Sequence, residues 1–320
     1  MQPDGSAVVA WTEVERNGSQ QIYVNTFAIE SGWSGPVRLS IHGHQENPYL
    51  AANSQGTAIV SWEASDVFGT SIVANRFDPG TGWGTSQIID AALISSSFAH
   101  VAIDADGSAI AAWVDDFDQD AAYASLFSPG SGWAQARTLG DPQDGAAIQA
   151  IAVDSAGGFV VIWRQFEGSA LYRLLSRHYS AIDGWSEPVM VGFDDGQSSI
   201  SDLATDGRGE LIAVGSRPTG FEMADIFALH RAANGEWGAP ILLDDANGWA
   251  RFPEIAAASD GNAISVYGDV HRGLEPVRRC WIQYLRESIR LASVSNVRVI
   301  TVCLCRTKVL IGFRFWPRSS

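Results

Sequence analysis

The first 268 residues of the chain contain neither cysteine nor lysine, because Cys280, Cys303, Cys305 and Lys308 all lie closer to the C terminus. Without cysteine, this segment can form no disulfide framework, no thiolate metal site and no cysteine nucleophile. It holds 33 acidic residues against 11 arginines, a formal charge of −22, whereas residues 269–320 carry +7. Phosphate recognition needs clustered lysine and arginine, so we expect no nucleic-acid partner; a cationic partner or Ca²⁺ is compatible with this charge.

Long apolar runs are also absent. The runs NVRVITVCLC and KVLIGFRFW fall well short of the roughly 20 residues that a membrane helix needs, so we expect no membrane span. The opening MQPDGSAVV has neither the basic nor the apolar region of a signal peptide. The chain has instead 12 tryptophans and 32 glycines, which predict a large core divided by turns.

A repeat of about 50 residues organises most of the chain. Its first turn ends in a glycine, at Gly5, Gly56, Gly107, Gly157, Gly209 and Gly261. Six residues later there is an aromatic residue, at Trp11, Trp62, Trp113, Trp163 and Tyr267, with Gly215 as the exception. A second tryptophan closes five copies, at Trp33, Trp83, Trp133, Trp185 and Trp237. A fixed period of this length predicts stacked supersecondary units in one continuous body.

The third copy, residues 102–139, shows what one unit contains. Four short apolar segments alternate with turn residues, and the dipeptide Asp106-Gly107 predicts a two-residue hairpin in which both residues have positive φ. Four short antiparallel strands per repeat are typical of a propeller blade. We therefore predict an all-β fold, a β-propeller of about six four-stranded blades of which the first and last are incomplete. Because the first copy starts inside the repeat, we expect either a processed N terminus or a longer parent protein.

The cycle VAxDxxGxAxxxW, followed by a strand ending in an aromatic and then by GW, resembles the repeat of uncharacterised bacterial secreted and surface β-propeller proteins. It is more distantly similar to sialidase-like propellers. This resemblance covers about residues 3–268 and implies export, an extracellular, surface or periplasmic location, and a binding or scaffold role. The Asp-box of sialidases places its tryptophan closer to the glycine than Trp113 lies to Gly107, and Arg251 is the single arginine of the predicted inner strands. No catalytic residue is therefore carried over.

The repeated residues are interpreted as structural. Both tryptophan ladders are expected to pack between blades, and Gly215 predicts a looser or refilled junction in the fifth blade. A second set lies three residues before the turn glycine and is expected to cap the turns through backbone N–H groups: Asn53, Asp104, Asp154 and Asp206.

Residues that the copies do not share are the candidates for function, since packing does not dictate them. The loop after the third Trp carries carboxylates that suit Ca²⁺, the one cofactor that the sequence suggests: Asp115, Asp116, Asp118 and Asp120. Trp249 in a between-blade loop, with Arg251, predicts sugar or peptide stacking. Tyr49 and His100, at the starts of innermost strands, are expected to face the same end of the central channel that these strands line. In each case the alternative is that the side chain fills the structure or is merely solvated. The spacing of His42, His44 and Glu46 is a weak zinc pattern.

Two regions are predicted. Residues 1–271 form the propeller, and residues 272–320 form a basic tail in which the repeat is lost. The tail is interpreted either as a non-native ending, such as a shifted reading frame, or as strands that close the ring.

The sequence predicts a non-catalytic binding or scaffold module that recognises glycan or protein through its acidic rim, the loops between blades and between the second and third strands of each blade. The alternative is a sialidase-like glycoside hydrolase, and a third interpretation is a structural spacer. The sequence carries no prediction of oligomeric state.

Overall fold

The computed structural model describes residues 5–40, 43–90, 95–115, 121–141, 144–167, 171–206, 208–220, 223–244, 249–258, 262–270 and 279–285. These residues form strands and turns without a helix, so the described chain is all-β, as the repeat predicts. It accordingly has no helix with the length and apolar character needed to cross a membrane.

The strands form five sheets that follow the repeat. The first sheet contains β1 (Ala7–Val14), β2 (Gln20–Ala28), β3 (Gly32–Trp33) and β4 (Val37–Arg38). The second contains β5 (His44–Ala52), β6 (Ala58–Asp66), β7 (Gly69–Asp78), β8 (Gly82–Trp83) and β9 (Gln87–Ile88). The third contains β10 (Ser96–Ile103), β11 (Ala109–Asp115), β12 (Ala121–Ser128), β13 (Gly132–Trp133) and β14 (Arg137–Thr138). The fourth contains β15 (Ala146–Val153), β16 (Phe159–Glu167), β17 (Leu171–Ser180), β18 (Gly184–Trp185) and β19 (Val189–Met190).

The fifth sheet joins strands of the last two repeats. It contains β20 (Ser199–Thr205), β21 (Leu211–Gly220), β22 (Met223–Arg231), β23 (Ile241–Asp244), β24 (Trp249–Ala257), β25 (Ala263–Val270) and β26 (Arg279–Leu285). The two repeats meet where Ala224 of β22 pairs in parallel with Trp249 of β24. β26 pairs along β25 and so gives the sixth repeat a third strand, in the segment where the sequence shows no repeat signal. The division at residue 271 stays a prediction, and most of the tail lies outside the described residues.

The hairpins after β5, β10 and β15 have three-residue loops, which corrects the predicted two-residue turn. Asp104 N donates to Ser108 O at 2.8 Å and Gly107 N donates to Asp104 O at 3.2 Å. Gly107 has a φ of 83°, whereas Asp106 is not among the left-handed residues. A type I turn followed by a left-handed glycine needs only one residue with positive φ, so glycine repeats at this position while the residue before it varies.

The predicted turn caps are confirmed. Asn53 Oδ1 accepts from Gln55 N and Thr57 N, both at 3.1 Å. Equivalent carboxylates accept from backbone N–H groups in the next three copies, at Asp104, Asp154 and Asp206. These side chains thus stabilise their own turns.

Neighbouring sheets pack face to face through four apolar clusters, each made by two successive repeats, and a fifth cluster joins the two repeats of the fifth sheet. From the second repeat on, the first strand of each repeat touches the first strand of the next: β5 with β10, β10 with β15, β15 with β20 and β20 with β24. These are therefore the inner strands of the array. Trp62, Trp113 and Trp163 of the first ladder are fully buried in the clusters, which confirms their packing role.

The fifth repeat refills the space left by its missing tryptophan. Phe227 pairs across from Gly215, is fully buried and makes an edge contact with Phe193 at 5.2 Å between ring centroids. A Cβ on Gly215 would overlap Ser199 O and come within 2.9 Å of Phe227 Cζ. Glycine is thus required here because a side chain from the neighbouring strand occupies the core position.

The second tryptophan ladder packs partly within its own sheet and partly against the clusters between repeats, which Trp83, Trp133, Trp185 and Trp237 contact, as predicted. Four of its five tryptophans contact the aromatic that ends the third strand, with ring centroids 5.3–5.4 Å apart in the pairs Phe27–Trp33, Phe77–Trp83, Phe127–Trp133 and Tyr179–Trp185. Trp237 lies across from Arg231 instead. Trp33 remains 52% exposed. This ladder therefore holds the short fourth strand to the third and buries less surface than the first.

Candidate functional site

Every inner strand is interrupted by a bulge near its start, at the end of the sheet opposite the glycine turns. The register shifts between Glu46 and Tyr49 in β5, and between Ser97 and His100 in β10. Equivalent shifts occur in the next three inner strands, at Ile148/Ala150, Ile200/Asp202 and Arg251/Glu254. Bulges re-aim side chains and are frequent next to binding and active sites. The first residue after each bulge pairs with the residue of the second strand that precedes the ladder position, which is aromatic in four of these repeats and Gly215 in the fifth. These first residues are Tyr49, His100, Ala150, Asp202 and Glu254.

Three of the bulges contain a residue other than glycine in the left-handed region. Asn47, Phe98 and Phe252 have φ values of 54°, 56° and 53°. The conformation costs about 1–3 kcal/mol for such residues and persists only where the surroundings enforce it. Phe98 and Phe252 are 63% and 79% exposed. The fold thus holds two phenylalanine rings in solvent by strained backbone, at the end of the inner strands opposite the glycine turns, which we call the mouth.

Glu63 connects two of these bulges. Its Oε1 accepts from Phe98 N at 2.8 Å and its Oε2 accepts from Asn47 Nδ2 at 3.0 Å. The residue is 6% exposed although it carries a carboxylate. One buried side chain on β6 therefore fixes the bulges of the second and third sheets, and so positions the Phe98 ring.

We expect replacement of Glu63 by alanine to lower the free energy of unfolding by about 2 kcal/mol, because two part-buried hydrogen bonds to a buried carboxylate are lost. Glu46, the residue that pairs across from Glu63, has a 38% exposed side chain and provides the control. Glu46→Ala should cost under about 0.5 kcal/mol. Urea unfolding measures both values, and equal losses would contradict the assignment of Glu63.

Tyr49 and His100 stack at the same mouth. Their ring centroids lie 4.3 Å apart with an interplanar angle of 23°. Burial lowers the pKa of His100 to about 4, and His100 Nδ1 is buried without a hydrogen-bond partner among the described residues. Burial raises the pKa of the Tyr49 hydroxyl, and the negative charge of Asp202 raises it further. Tyr49, His100 and Asp202 come from three different inner strands, so the mouth brings together groups that are far apart in sequence.

The structure brings two of the four predicted binding residues together. Tyr49 and His100 are in contact, and their role in binding stays a prediction. Trp249 is not in a loop, which corrects the sequence interpretation: it begins β24, where it pairs with Val270 and Ala224. Arg251 follows in the same strand, and the side chains of Trp249 and Arg251 lie outside the described residues.

Two acidic residues of the predicted between-blade loops, Asp144 and Asp195, are engaged in local structure. Asp195 Oδ2 accepts from Arg217 Nε at 2.6 Å, and its carboxylate also binds Ser198. Asp144 accepts from Gln165 at 3.3 Å. Because these carboxylates have partners within the chain, the acidic composition does not by itself define a ligand surface.

The predicted metal residues are only partly described. Asp115 ends β11 and is 4% exposed, whereas Asp116, Asp118 and Asp120 lie outside the described residues. His44 Nε2 lies 3.6 Å from Glu46 Oε2, and His42 is not described. Among the described side chains, no group of three histidines, cysteines or carboxylates could hold a metal ion. Both metal assignments therefore stay predictions.

No protein-family model and no curated protein sequence matches the chain. Its fold is similar to that of a PL25 ulvan lyase bound to -[GlcA(1-4)Rha3S]-, with a TM-score of 0.55, 9% identity, and coverage of 84% of this chain and 78% of the lyase. A Dyadobacter fermentans protein of unknown function gives a TM-score of 0.52 at 13% identity, over 88% of this chain and 90% of that one. A Hadza microbial sialidase reaches 0.41 at 11% identity, over 78% and 71% of the two chains.

At these identities the first two similarities concern the fold alone, and the sialidase match is too weak to argue from. The similarities to the ulvan lyase and to the Dyadobacter fermentans protein support the propeller type of fold that the repeat predicts.

Proposed function

We propose that the chain is a propeller of six blades, with the fifth sheet comprising the last two, and that it binds carbohydrate at the mouth of its inner strands. The observation that supports this most directly is the exposed Phe98 ring, which a left-handed backbone and the buried Glu63 position two residues before His100, whose ring stacks on Tyr49. Flat aromatic faces with nearby polar groups suit the apolar faces and hydroxyls of sugars. We infer a non-catalytic binding module of an exported bacterial protein, located outside the cell, at its surface or in the periplasm.

The charge of the chain favours a neutral glycan as the ligand. The formal net charge is −15, and Arg251 is the single arginine in the inner strands. A uronate or sulfated sugar would meet repulsion from this field and would lack the arginine pairs that recognise carboxylate and sulfate. The ulvan lyase with the similar fold takes an anionic glycan, so we propose that this chain differs from it in ligand class.

Replacing Phe98 by glycine should weaken glycan binding at least tenfold while leaving stability within about 1 kcal/mol of the parent. Glycine removes the ring; relief of the left-handed strain, about 1–2 kcal/mol, offsets the entropy that glycine loses on folding. A polysaccharide array with neutral and anionic members, followed by titration calorimetry on the best ligand, gives the affinities. Phe68→Ala is the matched control, since Phe68 is 84% exposed but lies outside the bulges.

Equal affinity of the Phe98→Gly variant and the parent would refute this site, as would a loss in Phe68→Ala of the same size. Retention of anionic polysaccharides alone would refute the ligand class.

The second candidate is a sialidase-like glycoside hydrolase. It is favoured by the neutral imidazole of His100 and the Tyr49 hydroxyl, two groups able to transfer protons at the proposed mouth. A panel of fluorogenic glycosides separates the two functions. Turnover that is lost in His100→Gln would establish the enzyme and reject the non-catalytic role.

A further inference from the structure

The junction between the second and third sheets differs from its neighbours beside the buried tryptophan. In the second and fourth sheets, a cross-strand pair next to the tryptophan consists of one glutamine and one alanine, Gln45/Ala64 and Ala146/Gln165. The indole Nε1 donates to that glutamine in both sheets, from Trp62 to Gln45 and from Trp163 to Gln165, the latter at 3.0 Å. The glutamine amide thus fills the space and satisfies the indole.

The third sheet places Ser96 and Asp115 at this cross-strand position. Both side chains are shorter than glutamine, and Trp113 Nε1 and Ser96 Oγ have no hydrogen-bond partner among the described residues. Trp113 and Ser96 are fully buried, and Asp115 is 4% exposed. Buried polar atoms are nearly always hydrogen-bonded, so this space is built to hold something that the neighbouring junctions do not.

Asp90 of the preceding sheet reaches the same space. Its counterpart one repeat later is Gly140, where a Cβ would overlap Gln165 Oε1 and lie 3.1 Å from Trp163 Nε1. A side chain at residue 90 is therefore directed at the site beside Trp113. Asp90 is 2% exposed; its Oδ2 accepts from Ile72 N at 2.9 Å, and its Oδ1 has no partner among the described residues.

The electrostatics agree with this placement. Burial raises the pKa of Asp90; among the smaller effects, the hydroxyl of Ser96 lowers it and the charge of Asp115 raises it. The three side chains are thus close enough to act on one another. Two carboxylates brought together away from water need a compensating positive charge or a proton.

We propose that this junction binds Ca²⁺ through the carboxylates of Asp90 and Asp115 and the hydroxyl of Ser96, with water completing the coordination. All of these ligands are hard oxygen donors, and Ca²⁺ tolerates irregular shells of six to eight oxygens better than Mg²⁺ does. The ion would link the end of one repeat to the start of the next. The proposed ligands do not include Phe98, Tyr49 or His100, so the proposal does not depend on the glycan-binding function.

The test uses the full chain, stripped with a chelator and titrated with Ca²⁺, Mg²⁺ and Tb³⁺. Ca²⁺ should raise the melting temperature by several degrees, and Mg²⁺ should do so less. Tb³⁺ should emit when tryptophan is excited, because the indole of Trp113 adjoins the site. Trp113→Phe should lose most of this emission and keep the Ca²⁺ shift in melting temperature.

Asp90→Asn and Asp115→Asn should each weaken Ca²⁺ binding at least about tenfold. The control is the triple variant Asp116→Asn, Asp118→Asn, Asp120→Asn, which should bind Ca²⁺ as the parent does. If that triple variant loses Ca²⁺ while Asp90→Asn retains it, the ion belongs to the loop and the proposal is overturned. If no cation changes the melting temperature and Asp90→Asn is more stable than the parent at pH 7, Asp90 carries a proton instead of binding Ca²⁺, and the proposal is also overturned.

Discussion

Replacing Trp163 by alanine should lower the free energy of unfolding by about 3–5 kcal/mol. The side chain is fully buried in the cluster that joins the third and fourth sheets. Its removal leaves a large cavity, and it also deprives the buried Gln165 Oε1 of the indole donor that lies 3.0 Å away. Since each repeat is stabilised mainly by its neighbours, weakening one junction weakens the sheets on both sides. Urea unfolding followed by tryptophan fluorescence and by circular dichroism measures the loss.

Trp33→Ala is the matched control from the second ladder. Trp33 is 52% exposed and stacks on Phe27 at 5.3 Å, so its removal should cost under about 1 kcal/mol. A loss of about 3 kcal/mol or more at Trp33 would mean that the two ladders contribute alike, against their difference in burial.

The repeated parts of the fold could be predicted because each residue is confirmed by its copies. Trp62, Trp113 and Trp163 recur with the period of the sheets, and only a buried junction demands the same large side chain each time. The missing tryptophan at Gly215 was a visible break in that period, and Phe227 fills it. The hairpin type was mispredicted because a Gly after Asp is compatible with two loop lengths that differ in one hydrogen bond.

The candidate mouth could be predicted only in part. Tyr49 and His100 stand out because they are the ring-bearing residues at a position where the other copies have Ala150, Asp202 and Glu254, yet their contact depends on how two sheets pack. Phe98 and Phe252 align in the copies, nine residues before their turn glycines, but they were missed because a strand pattern does not show that a bulge turns these side chains out to solvent. One signal was present: Pro48 and Pro253 lie inside strand patterns, at the bulges that contain Asn47 and Phe252. Proline within a strand indicates a bulge or an edge.

Acidification should destabilise the chain through His100, by up to about 3 kcal/mol between pH 6.5 and pH 4. Burial lowers the folded-state pKa of His100 to about 4, below the ordinary value of 6.5. The unfolded chain therefore binds a proton in this interval that the folded chain does not bind. The free energy of unfolding thus falls as the pH drops from 6.5 to 4, and His100 has no such effect above pH 6.5. Unfolding by urea at half-unit steps of pH, for the parent and for His100→Gln, should give curves that are parallel above pH 7 and converge below pH 6.5.

Tyr49→Ala tests the cause of this shift, because it removes the ring that covers His100 at 4.3 Å. Access of water should raise the pKa of His100 and shrink the loss of stability on acidification. An NMR titration of the imidazole reports the same change directly; a midpoint near 6.5 in the parent would contradict the buried, neutral histidine. The neutral state also constrains function: a glycan affinity or a rate that changes near pH 6.5 would have to be assigned to a group other than His100.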